Sequence, residues 1–254
     1  MRKPLPPFLE IGFYHHELAE TNAFARLVSA SVELGAKYGG EGRAHLGKDI
    51  NGKPFADTHE ELLETLTITN ADEFSSYLNA SDVRLVQVYM ENVTTLSDNA
   101  TEIITYLSIS PDAMRLDHHP IAIWAGGELL SGKGSKRGTM IGHRVCRRFL
   151  QLVELLKPDY ASITIEYGLE CPVDLRHDPR SHAFTDFFIS GDYMGIDNLS
   201  TVHDIFRGAY IQSLANGLYV SCTRNFNPQG IALEWTDATR RSGTLAKLIA
   251  SISI

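Results

Sequence analysis

The sequence predicts an α+β fold, a mixed or largely antiparallel sheet with helices packed on it, as a single globular domain over residues 1–254. Three observations carry this. Stretches of alternating apolar residues are interleaved with stretches of helical spacing. Several of the strand-like stretches come one directly after another, without the strict alternation of a doubly wound parallel sheet. The 254 residues, 43% hydrophobic and 21% charged, are enough to bury a core and lie outside the polar regime of disordered chains.

In chain order, Leu9 to Tyr14 predicts a strand, and Glu17 to Leu34 a helix with Leu18, Ala25, Val28 and Val32 at helical intervals. Gly35 to Asp57, with Gly39, Gly40, Gly42, Gly47 and Gly52 among charges, reads as a long loop. Short helices are expected at His59 to Leu66 and Asp72 to Leu78, the second capped by Asp72. Strands are expected at Val83 to Met90, Ile103 to Ile109 and Pro120 to Trp124. The clearest helix is Thr139 to Lys157, where Ile141, Val145, Phe149, Leu152 and Leu156 form one stripe before Pro158. Strands at Ala161 to Tyr167 and Phe184 to Ser190 come next, then a helix from Asn198 to Asn216 ended by Gly217. The pattern finishes with a strand pair, Leu218 to Cys222 and Ile231 to Trp235, and a helix from Asp237 towards Ile249. The segments at 35–57 and 126–138 are where an internal boundary would fall.

Composition excludes several classes. No apolar run approaches the ~20 residues that cross a bilayer, and Met1-Arg2-Lys3 is followed by prolines where a signal peptide needs an apolar helix. The expectation is a soluble cytoplasmic protein. Twenty-three basic against 31 acidic residues give a formal charge of −8, unsuited to nonspecific nucleic-acid binding, which rests on cations against phosphate. The three cysteines, Cys146, Cys171 and Cys222, are odd in number and far apart, so free thiols are expected.

Asp117, His118 and His119 spell the Asp-His-His signature and so resemble a family of metal-dependent phosphoesterases. The resemblance implies manganese held by imidazole and carboxylate donors. That family also carries an Asp-x-Asp motif, and none stands upstream of Asp117. The pairs His177-Asp178 and His203-Asp204 match another phosphohydrolase signature only as dipeptides, and neither metal nor cofactor is expected from them.

Two functional readings remain. In one, Lys133, Gly134, Ser135, Lys136, Arg137 and Thr139, within the Ser131 to Thr139 segment, cradle an anion at a helix N-terminus, and the chain is a phosphate- or nucleotide-binding enzyme. In the preferred one, it is a non-enzymatic protein-binding module of the general type of bacterial toxin-immunity proteins. An acidic and aromatic surface at Asp186, Phe187, Phe188, Asp192 and Tyr193 would then neutralise a more basic protein partner. With no bridge among the cysteines, thermal midpoints with and without a thiol reductant should coincide. A fall of several degrees on reduction would reveal a disulfide.

Overall fold

The computed structural model describes residues 8–46, 63–78, 83–94, 101–107, 120–126, 136–165, 168–179, 184–230 and 233–252. In chain order these form β1 (Phe8–Tyr14), α1 (Glu20–Glu33), β2 (Lys37–Leu46), β3 (Leu63–Ile68), α2 (Ala71–Leu78), β4 (Val83–Glu91), β5 (Thr101–Leu107), β6 (Ile121–Gly126) and α3 (Lys136–Leu156). The remainder are β7 (Tyr160–Ile165), α4 (Pro172–His177), β8 (Asp186–Ser190), α5 (Gly191–Met194), α6 (Ile196–Ile205), β9 (Tyr210–Leu214), β10 (Gly217–Ser221) and α7 (Trp235–Ile252). The strands make one 10-stranded sheet in the order β3-β2-β4-β5-β6-β1-β7-β8-β10-β9. All its pairings are antiparallel, and β1 sits near the middle between β6 and β7.

β1 buries residues on both faces. Leu9, Ile11 and Phe13 point into one core with Phe24, Leu27 and Val28 of α1 and Phe149 and Leu152 of α3. Tyr14 points into a second core with Tyr160, Leu175, Val202 and Leu245, beneath α4 to α7. In α1 the buried Phe24, Leu27, Val28 and Ser31 keep helical spacing, and Val32, expected inside, is 41% exposed. The larger Phe24 and Leu27 take the core-facing positions, rotating the stripe away from Val32. The stripe expected on α3 is buried throughout. On its other flank Arg148 donates from Nη1 to the carbonyl of Leu34 at 2.6 Å, satisfying an acceptor just past the end of α1.

Four expectations are corrected. Lys37–Leu46 is a strand, and its pairing with β4 skips between Tyr38 and Gly42. Gly40, at φ 85°, accommodates this bulge, so Gly39, Gly40 and Gly42 mark an irregular strand and not a loop, while the rest of the expected loop, 47–57, lies outside the described residues. Leu63–Ile68 is also a strand: Leu66 and Ile68 are buried, Thr65 and Thr67 exposed, a period of two that a helix would not show. The helix expected to reach Asn216 stops at Ile205. Gly208, at φ 90°, turns the chain into β9, and Gly217 opens β10, where a Cβ would strike the carbonyl of Ile189. Trp235, expected to end a strand, is the first residue of α7. A smaller shift is that Asn70, not Asp72, caps α2, its Oδ1 accepting from the amides of Asp72 and Glu73 at 3.0 and 2.9 Å.

Helices cover the two faces unequally. α1, α2 and α3 lie over one face, with Phe74 of α2 packed 5.4 Å from the ring of Phe24. On the other face, α4 to α7 cover the β7-β8-β10 side. No described helix packs on that face of β2 to β6. All three cysteines are free and buried, and no described helix is long and apolar enough to cross a membrane.

Gly142 tests the packing of α3, because a Cβ there would collide with the backbone carbonyl of Asn225. Gly142→Ala should cost about 1–3 kcal/mol in urea unfolding. Gly126→Ala, where a Cβ meets nothing within 4 Å, should change stability by no more than about 0.5 kcal/mol.

Candidate functional site

On the face away from α1 to α3, the half of the sheet that no described helix covers meets the layer of α4 to α7 at a step over β1. Antiparallel register places Glu10 opposite Trp124 on this face and, through β5, brings Tyr89 of β4 into the same cross-strand row. Further out, Gln87 faces Arg43, and Arg43 faces Thr65. Trp124 is 39% exposed and stacks on Phe8, 37% exposed, with ring centroids 5.5 Å apart. The Arg43 guanidinium lies 5.7 Å from the Tyr89 ring centroid, within cation–π range. Exposed Lys37, Glu41 and Arg43 follow one another along β2, and exposed Glu91 of β4 stands opposite Lys37.

At the foot of the step the chain from Gly168 to Cys171 folds over β1. Gly12 must lack a side chain, because a Cβ there would strike Leu169. Glu10, 4% exposed, accepts from the amide of Leu169 at 2.8 Å. Burial pushes its carboxyl up to about 7; the Leu169 amide and the Trp124 indole pull the other way, and nearby Glu170 adds to the rise. Trp124 is thus oriented by a buried acid on one side and a stacked ring on the other.

The patch expected at Asp186, Phe187, Phe188, Asp192 and Tyr193 is not a surface. Asp186 and Phe188 are fully buried, Phe187 is 1% exposed and Tyr193 8%. β8 lies between two strands under helices on both faces, so every residue in it is enclosed. Only Asp192 is exposed, in the short α5 behind its Ser190 cap. Tyr193 fills a gap between the rings of His16 and Tyr160, at 5.4 and 6.0 Å.

Asp186 is a structural carboxyl. Its Oδ1 lies 2.6 Å from Ser221 Oγ and 3.2 Å from the Tyr219 hydroxyl, and its Oδ2 2.8 Å from Thr223 Oγ1. Ser221 Oγ is also 2.9 Å from the Thr223 carbonyl, and one hydroxyl proton cannot serve both acceptors. Protonated Asp186 resolves the conflict by donating to Ser221, which donates onward to Thr223. That agrees with burial pushing Asp186 up to about 7.

Of the anion loop, Lys133, Gly134 and Ser135 lie outside the described residues, as do Asp117, His118 and His119. α3 starts at Lys136, so Lys136, Arg137 and Thr139 belong to its first turn. His177 ends α4, His203 lies in α6, and both are exposed; Asp204 pairs with Arg207 at 2.8 Å. No cluster able to hold a metal occurs among the described residues. The sequence reading missed Trp124 and Phe8. The signal was Glu10, one acid inside an apolar strand, which marks a face of β1 unlike its neighbour.

No protein-family profile matches the chain, and no curated protein does. Among solved structures it superposes on the T6SS protein PA0821 of Pseudomonas aeruginosa over 85% of its own length, with a TM-score of 0.43 and 10% identity. The chain spans 65% of that protein.

The protonation of Asp186 is testable. Its ordinary value is 3.8 and its folded value about 7, so its contribution to stability is complete below the lower value and is lost as pH rises through the upper. Glu10 acts in the same sense. His15 acts in the opposite one, since burial pushes it down to about 4 and its contribution is lost as pH falls. Asp186→Asn should therefore be less destabilising relative to wild type at about pH 8 than at about pH 5 in urea unfolding. A difference that does not change with pH would show that Asp186 is ionised throughout.

Proposed function

We propose that this chain is a cytoplasmic, non-enzymatic protein-binding module of the general type of bacterial toxin-immunity proteins. The sheet face of β2 to β6 that no described helix covers, with the Phe8–Trp124 stack at its edge, holds its partner, a more basic protein. The observation that carries the reading is the half-exposed Phe8–Trp124 stack, standing on a rigid sheet with carboxylates around it. Aromatic side chains on a fixed scaffold lose little entropy on contact and are enriched among the residues that dominate binding energy. Among the described residues Glu41, Glu91 and Glu170 outnumber Lys37 and Arg43 around this surface, in keeping with the formal charge of −8. That balance suits a cationic partner and a fast, steered encounter.

The tagged protein is used to recover its partner from the native host, and association is then measured by surface plasmon resonance. Trp124→Ala should weaken the complex by about 2 kcal/mol, mainly through faster dissociation. Glu41→Lys should slow association, and so should raising ionic strength until the screening length falls to about 8 Å. Asp192→Lys, on the helical side, should change neither rate. The reading fails if the recovered partner is acidic, if Trp124→Ala binds as wild type does, or if the protein alone turns over a small molecule.

A further inference from the structure

The outer face of α7 carries a feature that partner binding leaves unused. Trp235, Thr239, Arg240, Gly243 and Lys247 recur at helical spacing and, with Pro179 past the end of α4, line a cavity of about 540 Å³. A second cavity of about 320 Å³ adjoins it between α6 and α7, and Arg240 and Thr244 form the shared ridge. Volumes of ~300–1,000 Å³ are those of small-molecule sites. Gly243 shapes the floor: the Pro179 carbonyl comes within 3.4 Å of where its Cβ would stand, and a side chain there would fill the space.

The lining has one chemistry. Trp235 is 59% exposed at the start of the helix, offering an unpaired ring face beside the cavity. Arg240 and Lys247 lie further along, and Thr236, Thr239 and Thr244 complete the lining, Thr239 and Thr244 donating back to the carbonyls of Trp235 and Arg240 at 2.8 and 3.2 Å. Arg241 is a fixed strut, bonded to Asp237 and to the carbonyls of Ile205 and Arg207. Arg240 is different: it meets Asp237 at 2.6 Å, but its side chain is 72% exposed. Exposed pairs hold weakly and exchange readily for a stronger anion. From Trp235 to Lys247 the helix runs roughly 18 Å, aromatic at one end and cationic at the other.

We propose that this cavity binds a nucleoside triphosphate, with the base stacked on Trp235 and the phosphates directed to Arg240 and Lys247. A ring platform favours any base by stacking, and guanidinium and ammonium groups supply the charge-assisted bonds that phosphates take. The site is distinct from the segment at Ser131 to Thr139 and from the sheet face, so its failure would leave the partner-binding reading untouched.

The chain has two tryptophans, Trp124 and Trp235, so Trp124→Phe leaves Trp235 as the sole indole reporter. ATP should quench its emission saturably below millimolar concentration, and calorimetry on the wild type should give the same affinity. Adenosine alone and inorganic triphosphate alone should each bind at least about tenfold more weakly. Arg240→Ala with Lys247→Ala should lower ATP affinity by a similar factor, and Lys133→Ala, Lys136→Ala, Arg137→Ala together should leave it unchanged. No ATP binding to wild type at millimolar concentration overturns the proposal. So does triphosphate binding as tightly as ATP, which would mark a merely cationic patch, or a polyglutamate peptide competing as well as ATP, which would mark an acidic protein segment as the occupant.

Discussion

The structure depends on the antiparallel pairing of β1 with β6 on one side and β7 on the other. Those two strands flank, in sequence, the stretch where composition suggested a boundary, and β1 joins the β2–β6 half of the sheet to the β7–β10 half without a break. This long-range pairing requires β1 to be buried on both faces, so its residues do not alternate between oil and water. They alternate between two cores. Leu9, Ile11 and Phe13 serve the layer of α1 and α3, and Tyr14 the layer of α4 to α7. Gly12 lets the Leu169 segment pass over the strand, and Glu10 marks where that cover ends.

Much of this architecture was legible because its signals were local. α3 declared itself through a stripe with a clear period and a proline beyond its end, and β1, β4, β6 and β10 through short apolar runs. What misled was glycine and threonine. Gly39, Gly40 and Gly42 suggested a loop, yet the long-range pairing of β2 with β3 and β4 holds them in a bulged strand. Tertiary pairing outweighs local propensity in sheets. The same holds at Tyr210–Leu214, where helical spacing continued past Ile205 by chance and Gly208 with the pairing to β10 decided the outcome.

The proposed partner surface was less legible, for a related reason. A run such as Asp186-Phe187-Phe188 presents an acid beside aromatics whether it lies on a surface or in a strand enclosed on both faces. Sequence periodicity reports only the number of buried faces, and a fully enclosed strand has no polar phase to give it away. Asp186 looked like surface because a carboxylate is seldom fully buried. Here three hydroxyls surround it and lie within hydrogen-bond distance of its two oxygens, and burial pushes its carboxyl up to about 7. Trp124 was hidden the other way, inside an apolar run that reads as core, yet it is 39% exposed on a face that no described helix covers.

The proposed partner face lies where no described helix covers the sheet. A sheet as wide as this one needs apolar layers on both faces unless its residues change character where the cover stops. They do so at β1: beyond it, on the open face, Thr65, Thr67, Glu41, Arg43 and Gln87 replace the enclosed side chains of β7 and β8. A face evolved only to meet water would continue that polar pattern up to the step. Phe8 and Trp124 interrupt it with two large rings that remain over a third exposed, fixed by a stack and by the buried carboxyl of Glu10. Holding an aromatic pair rigid at a solvent boundary gives the isolated chain little, because the rings lose rotamer freedom and bury only part of their area. The arrangement becomes favourable when a second surface removes the remaining area from water, and the preorganised stack then meets it without a further ordering cost.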